Sequence, residues 1–244
     1  MLDMSVWKAD PGAVQLAEDQ VHVWCAPLDR PNEGQLFDIL AVDERARATR
    51  YRFERDRRRF VVGRGLLRVL LGRYLEIAPE RIDIRYESAG RPYVAAPEPI
   101  QFSLARAPEL VLYAFAKNRP IGIDVEQIRD QPDALSIAER FFSRHESAAL
   151  RALPADRQAV GFIDCWTRKE AYLKARGEGL ATPLNRFEVS LEPGAPARLQ
   201  WVAGDPEEPQ RWSLRALEAI TGHVAAICVR GHDWGLACWE LGDG

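Results

Sequence analysis

Ile121-Gly122-Ile123-Asp124-Val125-Glu126 alternates apolar and acidic side chains, the period of a β-strand, in which successive residues point to opposite faces. Ile123 and Val125 then face a core, and Asp124 and Glu126 project together from the other side. Some forty residues on, Trp166-Thr167-Arg168-Lys169-Glu170-Ala171-Tyr172-Leu173-Lys174 has no such alternation and no Gly or Pro, and reads as a helix that stops at Gly177 and Gly179. Glu170 and Lys174, four apart, share a helix face. If Asp124, Glu126 and Glu170 converge, with Lys169 and Lys174 beside them, they suit a hard divalent cation, which takes carboxylate, water and phosphate oxygens. Lysine meets a bound phosphate as a point charge. Taken singly, each stretch has a plainer reading. Asp124 and Glu126 fit the solvated face of an edge strand, and Glu170 with Lys174 fits a surface pair of roughly 0.2–0.5 kcal/mol.

Upstream of this strand the pattern is mixed. Val21 to Ala26 reads as a short strand ending at Pro27, and Gln35 to Leu75 as helix in two or three pieces. That span holds Arg45, Arg47, Arg50, Arg52, Arg55, Arg57, Arg58 and Arg59, interleaved with Glu44, Glu54 and Asp56. A solvated helix face explains them, and guanidinium groups that grip phosphate explain them equally. Phe60 to Leu75 is apolar at helical spacing and belongs to a core. Strands are expected at Arg81–Tyr86, paired back through Tyr93 and Val94, and then over 100–104 and 110–116.

Downstream, Ser143 and Glu146 form a capping-box pattern at a helix start. The long helix spans Ala159 to Lys174, and residues 192–210, rich in Pro, Gly and charge, form a hairpin region. Three strands close the chain, at 212–214, 224–229 and 236–239. Phe102-Ser-Leu before Val111 to Ala116 echoes Trp212-Ser-Leu before Val224 to Val229. The echo suggests two similar halves, and clefts between such halves are favoured ligand sites.

Composition narrows the classes. A length of 244 residues with 47% hydrophobic content supports a sizeable core. A net charge of −3 gives no global case for nucleic acid. No apolar stretch approaches the roughly 20 residues of a membrane span, and the start at Met1 lacks the basic and apolar regions of a signal peptide. Cys25, Cys165, Cys228 and Cys238 show no paired spacing and fit reduced thiols in the cytoplasm. There is no P-loop and no GxGxxG.

Together the two motifs, Gly-hydrophobic-Asp-x-Glu and Trp-x-x-Lys-Glu-x-x-x-Lys, resemble those of 4′-phosphopantetheinyl transferases of the longer, Sfp type, and the similarity runs from about Val21 to Trp239. The resemblance implies an α+β fold of two similar lobes related by a pseudo-twofold axis, each a mainly antiparallel sheet packed on a long helix. The lobes would be residues 1–119 and 120–244, the second carrying the Mg²⁺ motifs. It implies transfer of phosphopantetheine from coenzyme A to a serine of an acyl or peptidyl carrier protein, by a monomer with no nucleic-acid or membrane partner. Asp124, Glu126 and Glu170 would hold Mg²⁺. Lys169, Lys174, Arg59 and Arg91, the last in Gly90-Arg91-Pro92, would contact coenzyme A. Glu146, in Phe141-Phe142-Ser143-Arg144-His145-Glu146, would be the general base, with Glu170 and Lys174 also catalytic. The family's Phe-Asn/Ser-Leu-Ser-His-Ser segment reads Phe102-Ser103-Leu104-Ala105-Arg106-Ala107 here, so Arg106 stands where a histidine is usual and Ala105 lacks a hydroxyl. That departure leaves a second reading open, a catalytically impaired module that binds coenzyme A or a carrier protein. An enzyme of unrelated phosphate chemistry, built on the arginine stretch, is a third.

Overall fold

The computed structural model describes residues 7–96, 100–177, 179, 182–191, 195–217 and 220–242. The expectations for Met1–Val6 and for the hairpin tip at 192–194 lie outside these residues. A five-stranded sheet runs β1 (Lys8–Ala9), β12 (Gly235–Glu240), β2 (Gln20–Pro27), β6 (Leu110–Lys117), β5 (Ile100–Arg106). A three-stranded antiparallel sheet runs β10 (Trp212–Leu217), β11 (His223–Arg230), β7 (Ile121–Gln127). Two hairpins complete the strands, β3 (Ile84–Tyr86) with β4 (Pro92–Val94) and β8 (Phe187–Val189) with β9 (Leu199–Val202). Helices α1 (Glu33–Asp38), α2 (Val42–Ala48) and α3 (Glu54–Leu75) precede β3, and α4 (Ala134–Phe141), α5 (Arg144–Ala152) and α6 (Ala155–Arg176) follow β7.

Strand parity explains how these elements stack. Val111, Tyr113 and Phe115 of β6 pack with Trp24 of β2 and with Val61, Leu67 and Leu71 of α3. Their neighbours Leu112, Ala114 and Ala116 point the other way and join Val21, Val23, Ile121, Ile123, Val125, Ala225, Ile227 and Val229. The opposite face of the second sheet carries Ala226 and Cys228 and packs against Ala171, Tyr172 and Ala175 of α6. A period of two with both faces buried thus produces four layers in the order helix, sheet, sheet, helix. This is a mixed α+β fold.

β12 lies between β1 and β2, parallel to both. The end of the chain therefore returns to the sheet built by its beginning. Arg81, expected to open a strand, closes a 3₁₀ turn at Pro79–Arg81 instead. Pro79 opens the turn, and Arg68 Nη1 donates to the carbonyls of Pro79 and Ile82 at its two ends, each at 3.0 Å. No described helix is long and apolar enough to cross a membrane.

His22 shows what burial does to a titratable group in this core. It is 4% exposed, and its ring stands edge-on to Trp239. Its Nδ1 lies 2.9 Å from the Tyr74 hydroxyl, which itself accepts from Trp24 Nε1 at 2.7 Å. A neutral ring fits this place as acceptor, and burial pushes its pKa from 6.5 down to about 4. The unfolded chain takes up a proton near 6.5 and the folded chain does not, so this contribution to stability is complete above that pH and is lost as pH falls through the window. The loss is on the order of 3 kcal/mol. His22→Gln is expected to flatten the fall of the urea midpoint between pH 6.5 and 4, relative to the parent. An unchanged slope would exclude His22 as its source.

Candidate active site

The site forms where α6 crosses β7. Gly122, Asp124 and Glu126 share the β7 face opposite the inter-sheet core. Gly122 lets the helix approach closely, since a Cβ there would lie 2.1 Å from Ala171 O and 2.3 Å from Ala175 N. The same approach brings Lys174, beside Ala175, to Asp124, two residues along β7. Lys174 Nζ donates to Asp124 Oδ1 at 2.7 Å and to Ile123 O at 3.1 Å. The helix then stops in a left-handed Gly177, φ 72°.

Asp124, Glu126 and Glu170 sense one another. Burial raises the Asp124 carboxyl above the ordinary carboxylate range, with Lys174 pulling the other way. Burial and the charge of Asp124 raise Glu126. Burial, then Asp124 and Glu126, raise Glu170. Asp124 Oδ2 and Glu170 Oε1 are buried without a hydrogen-bond partner. Among the described residues, no three His, Cys, Asp or Glu side chains form a ready-made metal cage. Three hard, mutually repelling carboxylates, two of them with an orphaned oxygen, nevertheless fit Mg²⁺, which keeps waters and takes substrate phosphate oxygens in place of a full protein cage.

Lys174 also faces a cleft of about 340 Å³. Its floor is α3 at Phe60, Gly63, Arg64 and Leu67, and one wall is β5 at Phe102, Ser103, Leu104 and Arg106. The hairpin β3–β4 leans over it with Tyr86 and Arg91. Five basic side chains, Arg47, Arg64, Arg91, Arg106 and Lys174, thus converge on an otherwise largely apolar hollow. Arg64 is paired with the buried Glu44 at 3.0 Å, and Arg91 donates to Gln101 Oε1 at 3.0 Å. Arg106 lies across α3 at Gly63, where a Cβ would be in ordinary van der Waals contact with it, 3.5 Å from Arg106 Cδ. The arrangement can hold a polyanion with a flat or apolar body, and Lys174 lies between the cleft and Asp124.

Comparison with known sequences shows the family. Residues 120–228 match the model of the 4′-phosphopantetheinyl transferase superfamily, and residues 30–115 match that of the 4′-phosphopantetheinyl transferase N-terminal region. The chain is 41% identical over 240 residues to the 4′-phosphopantetheinyl transferase HetI of Nostoc sp. (strain PCC 7120), covering 96% of this chain and 98% of that protein. It belongs to the 4′-phosphopantetheinyl transferase superfamily. Within that superfamily it is also 35% identical over 208 residues to the transferase psf-1 of Bacillus pumilus, covering 84% of this chain and 86% of that one. It is 27% identical over 210 residues to the transferase Sfp of Bacillus subtilis (strain 168), covering 85% of this chain and 90% of that one.

Against this background the expected site residues separate into groups. Asp124, Glu126 and Glu170 lie close enough to shift one another's titration, Lys174 is bonded to Asp124, and Arg91 and Arg106 join Lys174 at the cleft. Arg59 does not line the cleft; it sits in the second turn of α3 with its guanidinium 3.9 Å from Asp56. Ala105 does not line it either. Strand parity turns Ala105 into the inter-sheet core, where it is 3% exposed. The departure from the usual Ser-His pair therefore reaches the cleft through Arg106 alone. Arg64, which sequence reasoning missed, enters through α3. Its only sequence signal is an arginine at a core-facing helical position.

Glu146 and Lys169 part from the roles the resemblance implied. They are 1% and 0% exposed and form an ion pair at 2.8 Å. Glu146 also accepts from the backbone N–H of Ser143 and of Val189, at 3.0 and 2.9 Å. Lys169 donates to the carbonyls of Leu184 and Phe187 at 2.9 and 2.6 Å. Neither lines the cleft. As placed, Glu146 has no open path to a substrate proton, and Lys169 has none to a phosphate.

Proposed function

We propose that this transferase moves the 4′-phosphopantetheine group of coenzyme A to a serine of an apo acyl or peptidyl carrier protein, in a Mg²⁺-dependent reaction that releases adenosine 3′,5′-bisphosphate. The observation that carries the reading is the double engagement of Lys174, bonded to Asp124 on one side and facing the arginine-rich cleft on the other. The similarity to named 4′-phosphopantetheinyl transferases over nearly the whole chain supports the reaction class. The internal echo and the four-layer stacking support two lobes, 1–119 and 120–244, related by a pseudo-twofold axis, with β12 returned to the first. The chain acts as a cytoplasmic monomer in this reading, without nucleic-acid or membrane partners.

Asp124, Glu126 and Glu170 would hold Mg²⁺, which supplies charge neutralisation at the pyrophosphate. Arg47, Arg91 and Arg106 bind and orient the phosphates of the nucleotide half, and Phe60, Leu67 and Phe102 supply the apolar surface beneath it. The carrier serine Oγ forms a bond to the phosphorus next to the pantetheine arm. The bond from that phosphorus to the bridging oxygen breaks, the bisphosphate leaves with both electrons, and the serine proton passes to solvent. Lys174 meets charge as it builds on the phosphates. Positioning and fixed charge do most of the work in such transfers.

Intact-protein mass spectrometry of an apo carrier protein, incubated with the chain, coenzyme A and Mg²⁺, tests this. A gain of one phosphopantetheine, lost on adding chelator, is expected. No gain with fatty-acid and peptide carriers, despite measurable coenzyme A binding, would replace the transferase with a binding module.

A further inference from the structure

We infer that the buried Glu146–Lys169 pair is a positioning device that fixes the rotation of α6 and thereby aims Glu170 at the carboxylate cluster. The inference rests on the proposed metal site and deepens it.

The pair is saturated. The three ammonium protons of Lys169 go to Glu146 Oε2, Leu184 O and Phe187 O, at 2.8, 2.9 and 2.6 Å. Its head also lies over the Phe187 and Phe142 rings, 4.3 and 5.5 Å from their centroids. Glu146 Oε2 accepts from Ser143 N and Lys169, and Oε1 accepts from Val189 N, with the Cys165 thiol 3.8 Å away. Ser143 Oγ accepts in turn from Glu146 N at 3.1 Å, so the pair is tied into the cap of α5. The start of α5, strand β8 and the middle of α6 meet at one fully bonded point. Buried charges survive when every donor and acceptor is matched, and such networks specify one geometry.

That geometry bears on the next residue. Consecutive side chains on a helix diverge by about 100°, so fixing the azimuth of Lys169 fixes that of Glu170. At a side-chain radius of about 5–6 Å, a 20° rotation of α6 would carry the Glu170 carboxylate about 2 Å sideways. Mg²⁺ demands oxygens at about 2.0–2.1 Å in near-octahedral array, so an error of that size removes a ligand. An apolar side chain at 169 would fill the same hollow without directional bonds. Three ammonium donors aimed at three oxygens hold the rotation. The arrangement also explains why two charged residues of the site motifs lie outside the cleft.

The test uses Lys169→Met, Glu146→Gln and the double variant. Mn²⁺ binding is followed by electron paramagnetic resonance, and the coenzyme A KM and kcat are measured beside it. Each variant is expected to bind Mn²⁺ about 10–100-fold more weakly, the usual cost of losing an outer-sphere partner. The coenzyme A KM should stay within about twofold. If Lys169→Met does not fold, the double variant carries the test, because it leaves no orphan charge. Metal affinity matching the parent in the folded variants overturns the proposal. A raised coenzyme A KM with unchanged metal affinity would return Lys169 to phosphate contact. A lowered kcat of Glu146→Gln with unchanged metal affinity would return Glu146 to proton transfer. A parent chain that binds Mn²⁺ but modifies no carrier protein would sink the proposed transfer and leave this inference standing. A parent chain that binds no Mn²⁺, with or without coenzyme A, would remove the proposed metal site and this inference together.

Discussion

Gly122→Ala is expected to lower the melting temperature by roughly 10 °C and to abolish detectable transfer, the largest effect of an added methyl group at any described glycine. The added Cβ would stand 2.1 Å from Ala171 O, 2.3 Å from Ala175 N and 3.0 Å from Ala175 Cα. All three are backbone atoms of α6, so no rotamer change relieves the clash. The helix must move off β7, or the strand must bend into the inter-sheet core. Overpacking of this kind typically costs 1–3 kcal/mol, and with backbone on both sides the upper end, about 3 kcal/mol, is the reasonable figure. For a chain of this size that corresponds to the stated shift. The activity loss follows from the same displacement. Moving α6 away from β7 separates Lys174 from Asp124 and carries Glu170 out of the cluster. Calorimetry with the carrier mass assay measures both effects. A melting temperature within about 2 °C of the parent would mean that the close approach is not required.

The role of Gly122 illustrates what the sequence can and cannot disclose. The alternation from Ile121 to Glu126 sorts core-facing from site-facing residues correctly, because strand parity is a local property. The capping box of Ser143 and Glu146 is equally local and is present as expected. Local reading fails where two distant segments decide the outcome. Ala105 and Arg106 are neighbours, and only the sheet behind β5 tells that one faces the core and the other the cleft. The arginine-dense stretch does not reveal which guanidinium groups turn inward. Arg64 and Arg68 are buried because Glu44, twenty or more residues away, receives both. Glu146 and Lys169 each carry a charge, and a charged residue within a motif invites a direct chemical role. Their mutual pairing appears only when α5 and α6 are packed. The return of β12 to the first sheet depends on register between chain ends, which no local pattern records.

Asp124→Asn should reduce carrier modification about 10³-fold while leaving the metal-free protein close to its parent in melting temperature. Asparagine keeps the shape of the side chain and an oxygen for Lys174 Nζ, so the 2.7 Å contact survives as a hydrogen bond from the ammonium to a neutral carbonyl. The charge that is lost was a burden on the metal-free fold, since burial holds the Asp124 carboxyl above its ordinary proton affinity. Removing it also eases the repulsion felt by Glu126 and Glu170. Lys174, with a side chain 31% exposed, can recover water in place of its ion pair. Stability and activity therefore separate at this position. With Mg²⁺ present the order changes. The parent should melt higher in millimolar Mg²⁺ by linkage between binding and folding, and Asp124→Asn should not. Coenzyme A binding in chelator should be little altered, because Arg47, Arg91 and Arg106 are untouched. Transfer within tenfold of the parent, or a Mg²⁺-induced rise that persists in the variant, would place the metal elsewhere. A collapse of the metal-free melting temperature would instead show that the Asp124–Lys174 ion pair holds α6 to β7, and that Gly122 only permits the contact.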